Sequence, residues 1–165
     1  MQMIGQAALT SSKKSDWSTP QWLFDQLNRE FSFTLDVCAD DWNAKCDHYF
    51  TSAMDGLTQE WTGVIWMNPP YGRTIRNWIA KAFKSAMLGH TVVCLLPART
   101  DTTWFHEYCL YGEIRWIRGR LYFNDGDGRS TFPSFVCIFR PRHFMSMPVR
   151  VNGQRATGVA LDIPE

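Results

Sequence analysis

The run Val64-Ile65-Trp66-Met67-Asn68-Pro69-Pro70-Tyr71-Gly72 decides how this chain is read. Residues 63–67 are apolar without polar alternation, the pattern of a central parallel strand covered on both faces. The strand runs into Asn68-Pro69-Pro70-Tyr71 at its carboxyl end, where open α/β sheets hold their ligands. Two consecutive prolines fix φ and lack N–H donors, so the turn is stiff. The Asn68 amide oxygen and the Pro69 carbonyl can then serve as two adjacent acceptors for one guest group. An exocyclic amine such as N6 of adenine offers the two hydrogens that fit. Tyr71 supplies a flat face for the ring carrying that amine. The plainer alternative is a strand-ending turn with Tyr71 packed on the next helix.

Working outward, Ile75, Trp78, Ile79, Ala82, Phe83, Ala86 and Met87 follow helical spacing, and Gly89 stops the helix. Residues 91–96 form a second fully apolar strand. Upstream, Thr19 caps a helix and Pro20 takes its first position; Trp22, Leu23, Leu27 and Phe31 give its stripe. Residues 33–37 are a short strand, and 48–51 a candidate for another. Thr100 or Asp101 caps a helix with Trp104, Phe105 and Tyr108, and 113–117 alternates as a strand. A polar, Gly-rich loop at 124–129 lies between strand segments at 121–123 and 135–139. This alternation predicts an α/β fold, with a mostly parallel sheet and an antiparallel strand at the C-terminal end. Residues 1–15 are expected to be a flexible arm, 16–141 the folded domain and 142–165 a weakly ordered tail. At this length a separate target-recognition domain is not expected.

The 165 residues, 45% hydrophobic and 20% charged, have an ordinary globular composition. A net charge of +1 gives no global field for nucleic acid, so DNA would be held by a local patch. Eight Trp and eleven Phe can fill a core and still leave some rings for stacking on bases. Cys38, Cys46, Cys94, Cys109 and Cys137 contain no Cys-x-x-Cys pair and read as reduced thiols of a cytoplasmic protein. Cys38, Cys46 and His48 have poor spacing for zinc, so no metal is expected. No apolar run approaches a membrane span and no signal peptide opens the chain, so no membrane partner is expected.

Six segments follow in order: Asp16-Trp17-Ser18-Thr19-Pro20, Leu35-Asp36-Val37-Cys38-Ala39-Asp40, Asp55-Gly56-Leu57, Asn68-Pro69-Pro70-Tyr71, Leu96-Pro97-Ala98-Arg99-Thr100-Asp101 and Pro133-Ser134-Phe135. Together they resemble the phage Dam family of DNA N6-adenine methyltransferases, over roughly residues 16–141. The resemblance implies a reduced Rossmann-like class I methyltransferase fold with S-adenosylmethionine as cofactor. It implies site-specific methyl transfer to a flipped-out adenine of double-stranded DNA, with Asn68, Pro69, Pro70 and Tyr71 as the catalytic segment. It places Asp36, Cys38, Ala39 and Asp40 at the cofactor, with Asp36 near its amino-acid moiety or ribose. It also implies that Asp55 accepts from the cofactor's adenine amine while Leu57 packs on that ring, and that Thr19 and Pro20 lie against its methionine end. The resemblance places Asn68 beside the cofactor as well as the target. The chain departs from the wider superfamily in lacking a Gly-x-Gly after the first strand. It also lacks a clear acidic residue ending a second long strand, so Asp40, Asp41 and Asn43 all compete for the ribose.

Arg73, Arg76, Arg99, Arg118 and Arg120 are candidates for gripping phosphates or reading guanine edges. Arg115 and Arg129 lie in the same region of the sequence. Each could equally be a solvated surface charge. The competing functions are an amino-methyltransferase on cytosine N4, RNA adenine or protein glutamine, a nucleotide-binding module that has lost catalysis, and a non-catalytic DNA-binding decoy.

Overall fold

The computed structural model describes residues 18–123, 128–141 and 159–161. The flexible arm expected at 1–15, most of the 142–165 tail and residues 124–127 of the Gly-rich loop lie outside the described residues. The two apolar runs form β2 (Val64–Met67) and β3 (Thr91–Pro97), paired in parallel with Trp66 opposite Val93. On the outer side of β2 lies β1 (Leu35–Asp36), also parallel. Its pairing extends beyond the strand proper: the N–H groups of Thr34 and Val37 donate to the carbonyls of Val64 and Trp66. The expected strand at 48–51 reduces to one parallel bridge between Tyr49 and Asp36.

Beyond β3 the sheet continues with β7 (Ser134–Phe139), β4 (Glu113–Ile117) and β8 (Val159–Leu161), giving the order β1-β2-β3-β7-β4-β8. β7 runs antiparallel to both neighbours, whereas β8 is parallel to β4. The antiparallel strand is therefore interior, and the segment expected to be a weakly ordered tail supplies a parallel edge strand. β5 (Tyr122–Phe123) and β6 (Gly128–Arg129) pair with each other as a separate hairpin.

The helices cover both faces. α1 (Gln21–Phe31) buries Leu23, Phe24 and Leu27 against Trp66, Val93, Leu95, Val136 and Ile138. α2 (Ile75–Met87) and α3 (Thr103–Glu107) bury Trp78, Ile79, Ala82 and Phe105 against Ile65, Met67, Cys94 and Phe135. Successive side chains of a strand point to opposite faces, so β2 and β3 must be apolar at every position. That two-sided burial is why they carry no polar alternation.

Two helix starts differ from expectation. Pro20 is itself the N-cap of α1, its carbonyl taking the N–H groups of Leu23 and Phe24, and no side chain caps the helix. Thr19 thus sits one residue too early to cap. Likewise the N-cap of α3 is Thr102 rather than Thr100 or Asp101, and its hydroxyl turns back to the carbonyl of Arg99. Among the described residues no helix is long and apolar enough to cross a membrane.

Candidate active site

The carboxyl ends of β1 and β2 open onto a cavity of about 780 Å³. Three segments wall it. The first is the turn after β1, carrying Asp36, Cys38, Ala39 and Asp40; the second is the 55–57 turn; the third is Asn68-Pro69-Pro70. Thr19 closes the side below α1. Every residue expected at the cofactor lines this space except Pro20, which is occupied as the helix cap. Sequence reasoning missed Phe50, Lys45 and Trp78, which also line it. Trp78 was counted only as a member of the α2 stripe. Its place in the first turn after the prolines was the available signal.

Asp36 is 2% exposed, and its carboxylate organises the first wall. One oxygen accepts the N–H of Cys38 and the other that of Lys45, each at 3.1 Å. Burial nevertheless dominates and pushes its pKa from 3.8 up to about 6, against the pull of those hydrogen bonds and of the Lys45 charge. The same turn sorts the three competitors for a ribose. Asp40 and Asn43 line the cavity, with the Asn43 side chain accepting the Asp40 N–H at 2.7 Å. Asp41 does not line it; its carboxylate accepts the hydroxyl of Tyr49 at 2.9 Å.

The 55–57 wall depends on a glycine. A Cβ on Gly56 would stand 2.4 Å from the carbonyl oxygen of Val37 and 3.0 Å from the Trp78 ring. Only glycine lets this turn approach the end of β1 so closely. Asp55 has φ +50, and its carboxylate accepts the N–H of Leu57 at 3.2 Å. Lys81 clasps the turn from α2, donating to the carbonyls of Leu57 and Gln59.

At the third wall, Asn68 Nδ2 donates to the Thr19 hydroxyl at 3.1 Å, so the end of β2 is tied to the chain entering α1. Pro69 is buried and Pro70 exposed. The Pro70 carbonyl accepts the N–H of Gly72 at 3.1 Å, tightening the turn. Tyr71 lies outside the cavity lining. Its hydroxyl donates to the carbonyl of Leu95 at 3.2 Å, and its ring meets Phe123 and Phe132 edge-on at 6.4 and 5.5 Å. Burial raises its pKa well above the ordinary tyrosine value, so the phenol stays protonated.

Taken together, the lining carries three carboxylates, Asp36, Asp40 and Asp55, against one ammonium, Lys45, whose Nζ bonds the Gln21 side chain. It also presents the flat or apolar groups Phe50, Leu57 and Trp78. Such a lining suits a cationic ligand with an aromatic portion. The five cysteines are thiols; burial pushes Cys38, Cys94 and Cys137 well above the ordinary thiol value and Cys46 up to about 12, so none of these four is a ready nucleophile. Among the described residues no three His, Cys, Asp or Glu side chains group as a metal site would need.

The arginines separate into two classes. Arg76 pairs with Glu107 at 2.6 Å and lies over the Tyr108 ring. Arg115 binds Glu30 through two nitrogens, at 2.5 and 2.7 Å, and Glu113 at 2.6 Å, with Arg140 joining both carboxylates. These two arginines staple α2 to α3 and α1 to β4. Arg73, Arg99 and Arg118 are exposed, as Arg76 is, and Arg120 is half-buried.

Comparison with known proteins agrees with this geometry. The family described as DNA N-6-adenine-methyltransferase (Dam) matches residues 6–149. The DNA N-6-adenine-methyltransferase of Haemophilus phage HP1 (strain HP1c1) is 33% identical over 147 residues, covering 81% of this chain and 84% of that protein. The DNA N-6-adenine-methyltransferase of Escherichia phage T1 is 30% identical over 109 residues, which are 64% of this chain but only 45% of that longer protein. With its family pattern matched across most of its length and its site segments in family order, the chain belongs to the DNA N-6-adenine-methyltransferase (Dam) family.

Proposed function

We propose that this protein transfers a methyl group from S-adenosylmethionine to N6 of an adenine in DNA, within a reduced Rossmann-like class I methyltransferase fold. The order β1-β2-β3-β7-β4, with an antiparallel strand inside a parallel sheet, supports that fold. One observation carries the functional reading: a 780 Å³ acidic cavity that shares the Asn68-Pro69-Pro70 edge. Its volume falls in the range of small-molecule sites, roughly 300–1,000 Å³. The donor set fits the cofactor. Asp36 and Asp40 suit its cationic end, and Leu57, Phe50 and Trp78 suit its ring, with Asp55 beside them as acceptor for an amine.

When bound, S-adenosylmethionine supplies a methyl group already activated by the sulfonium charge. The work left to the chain is to present the amine. Adenine N6 is unreachable inside a stacked duplex, so the base must be flipped out. The Asn68 amide oxygen and the Pro69 carbonyl accept the two N6 hydrogens. They hold the nitrogen in line and stabilise the positive charge that grows on it. Thr19 fixes the Asn68 amide plane, and the two prolines keep the carbonyl from turning away. Tyr71, anchored through its hydroxyl, offers its ring to the flipped base. Arg73, Arg99, Arg118 and Arg120 hold the surrounding phosphates, while Arg76 serves the fold.

The test is incubation of duplex DNA with the protein and isotopically labelled S-adenosylmethionine, followed by mass spectrometry of the nucleosides. N6-methyladenine is the expected product. Label found only in N4-methylcytosine, or only in RNA offered in parallel, would overturn the assignment.

A further inference from the structure

We infer that Lys81 is a positioning residue for the ring-binding end of the cofactor site, an inference that rests on the methyl-donor reading above. The 55–59 segment has no regular secondary structure, so its backbone groups need other partners. The side chains around it supply them. The carbonyl of Gly56 accepts from Trp61 Nε1 at 2.7 Å. The carbonyls of Leu57 and Gln59 both accept from Lys81 Nζ, at 2.6 and 2.5 Å. Leu57 is thus held at both backbone groups, its N–H by the Asp55 carboxylate and its carbonyl by Lys81.

The Lys81 ammonium also lies 5.1 Å above the Trp61 ring, which stacks on Trp78 at 6.0 Å. Trp78 belongs to the cavity wall and, like Lys81, to α2. One half-buried cation therefore fixes the turn that carries Asp55, Gly56 and Leu57 against the helix that follows the Asn68-Pro69-Pro70 segment. Charged hydrogen bonds are roughly twice as strong as neutral ones, and no backbone element competes for these carbonyls. Lys81 touches neither the cavity nor the reacting atoms; its effect passes through Leu57 and Asp55.

The experiment compares the unmodified protein with Lys81→Met and Lys81→Arg. Affinity for S-adenosylhomocysteine and for adenosine is measured by calorimetry, and donor KM and kcat by methyl incorporation. Lys81→Met is expected to weaken both ligands on the order of ten-fold and to raise donor KM by a similar factor. kcat at saturating donor should stay within about two-fold, because the Asn68 acceptor is untouched. Lys81→Arg should recover most of the loss. Thermal melts establish that each variant is folded; Lys81→Leu, neutral and without a donor, is the second variant if Lys81→Met is not. Unchanged affinity in a folded neutral variant, or a fall in kcat at constant KM, would overturn the role of Lys81 alone. Failure of the unmodified protein to bind S-adenosylhomocysteine would instead overturn the donor reading, and this assignment with it.

Discussion

The Asn68 amide at the end of β2 donates to the hydroxyl of Thr19, 3.1 Å away and 49 positions earlier in the chain. This bond explains why Thr19 is buried without capping α1. In the proposed mechanism it also sets which end of the amide would meet the target. An acceptor that holds the nitrogen end leaves the oxygen end for the incoming amine of the proposed reaction.

Thr19→Val keeps the shape of the side chain but removes the acceptor. The Asn68 amide then loses its fixed plane, and turnover is expected to fall about ten-fold, with Thr19→Ser close to the unmodified protein. Asn68→Ala removes the acting acceptor itself and should cost on the order of 10²–10³ in kcat, about 3–4 kcal/mol. Asn68→Asp should be milder, since a carboxylate still accepts. Methyl incorporation at saturating cofactor and DNA, beside calorimetric cofactor binding, separates these effects. Near-normal turnover in Asn68→Ala would remove Asn68 from the mechanism.

Gly56→Ala tests the second wall. The added Cβ would meet the Val37 carbonyl at 2.4 Å, and a backbone oxygen cannot step aside. Overpacking of this kind costs roughly 1–3 kcal/mol, and relief requires the 55–57 turn to retreat from β1. Urea unfolding should register the loss of stability, and cofactor affinity should fall with it. A variant as stable and as tight as the parent would show that this approach is not needed.

For Asp36, the direction of the pH effect follows from burial. Its folded pKa lies near 6, above the ordinary 3.8. A carboxyl raised on folding stabilises the fold while both states are protonated, below the unfolded value. That contribution is lost as pH rises through the folded value. Between about pH 4 and 6 the unliganded protein should therefore lose up to about 3 kcal/mol of stability relative to Asp36→Asn. Asp36→Asn carries its own fixed cost, because an amide cannot accept from both the Cys38 and Lys45 N–H groups. The slope of the difference against pH is therefore the readout. A cationic ligand near Asp36 favours the carboxylate, so cofactor affinity should rise across the same window, with Lys45 opposing it and Asp40 assisting. A flat difference in urea-unfolding free energies between pH 4 and 7 would show that Asp36 ionises normally.

What the amino-acid order made legible was whatever depends on local pattern. β2, β3 and α2 stand out because two-sided burial and helical spacing leave marks in consecutive residues. The prolines mark the Asn68-Pro69-Pro70 wall for the same reason, whereas the walls at 36–40 and 55–57 were expected from the family resemblance. The unread parts depend on partners distant in sequence. Nothing local to Thr19 announces Asn68, and nothing local to Arg76 announces the Glu107 carboxylate beside it. The strand at Val159–Leu161 is three residues long and has no alternation to detect; only its parallel pairing with Arg115, Trp116 and Ile117 makes it a strand. The interior position of β7 is likewise a matter of register between segments about forty residues apart.

The sorting of the arginines gives the last prediction. A phosphate contact releases counterions on binding, so losing one weakens DNA affinity and flattens its salt dependence by about one unit of slope. Arg99 follows β3 at the ligand edge, its N–H bonded to the Pro97 carbonyl and its side chain exposed. Arg73 is exposed just past the Asn68-Pro69-Pro70 turn. Arg99→Ala and Arg73→Ala should each show the flattened slope, as should at least one of Arg118→Ala and Arg120→Ala. Arg76→Ala should leave the slope unchanged, because its charge is already met by Glu107. Its cost should appear in fold stability at the scale of an exposed pair, about 0.2–1 kcal/mol. DNA titrations across a range of salt concentrations decide between the two classes. A flattened slope in Arg76→Ala together with parental slopes in the other four would reverse the assignment and move the DNA track from the strand ends to the outer face of α2.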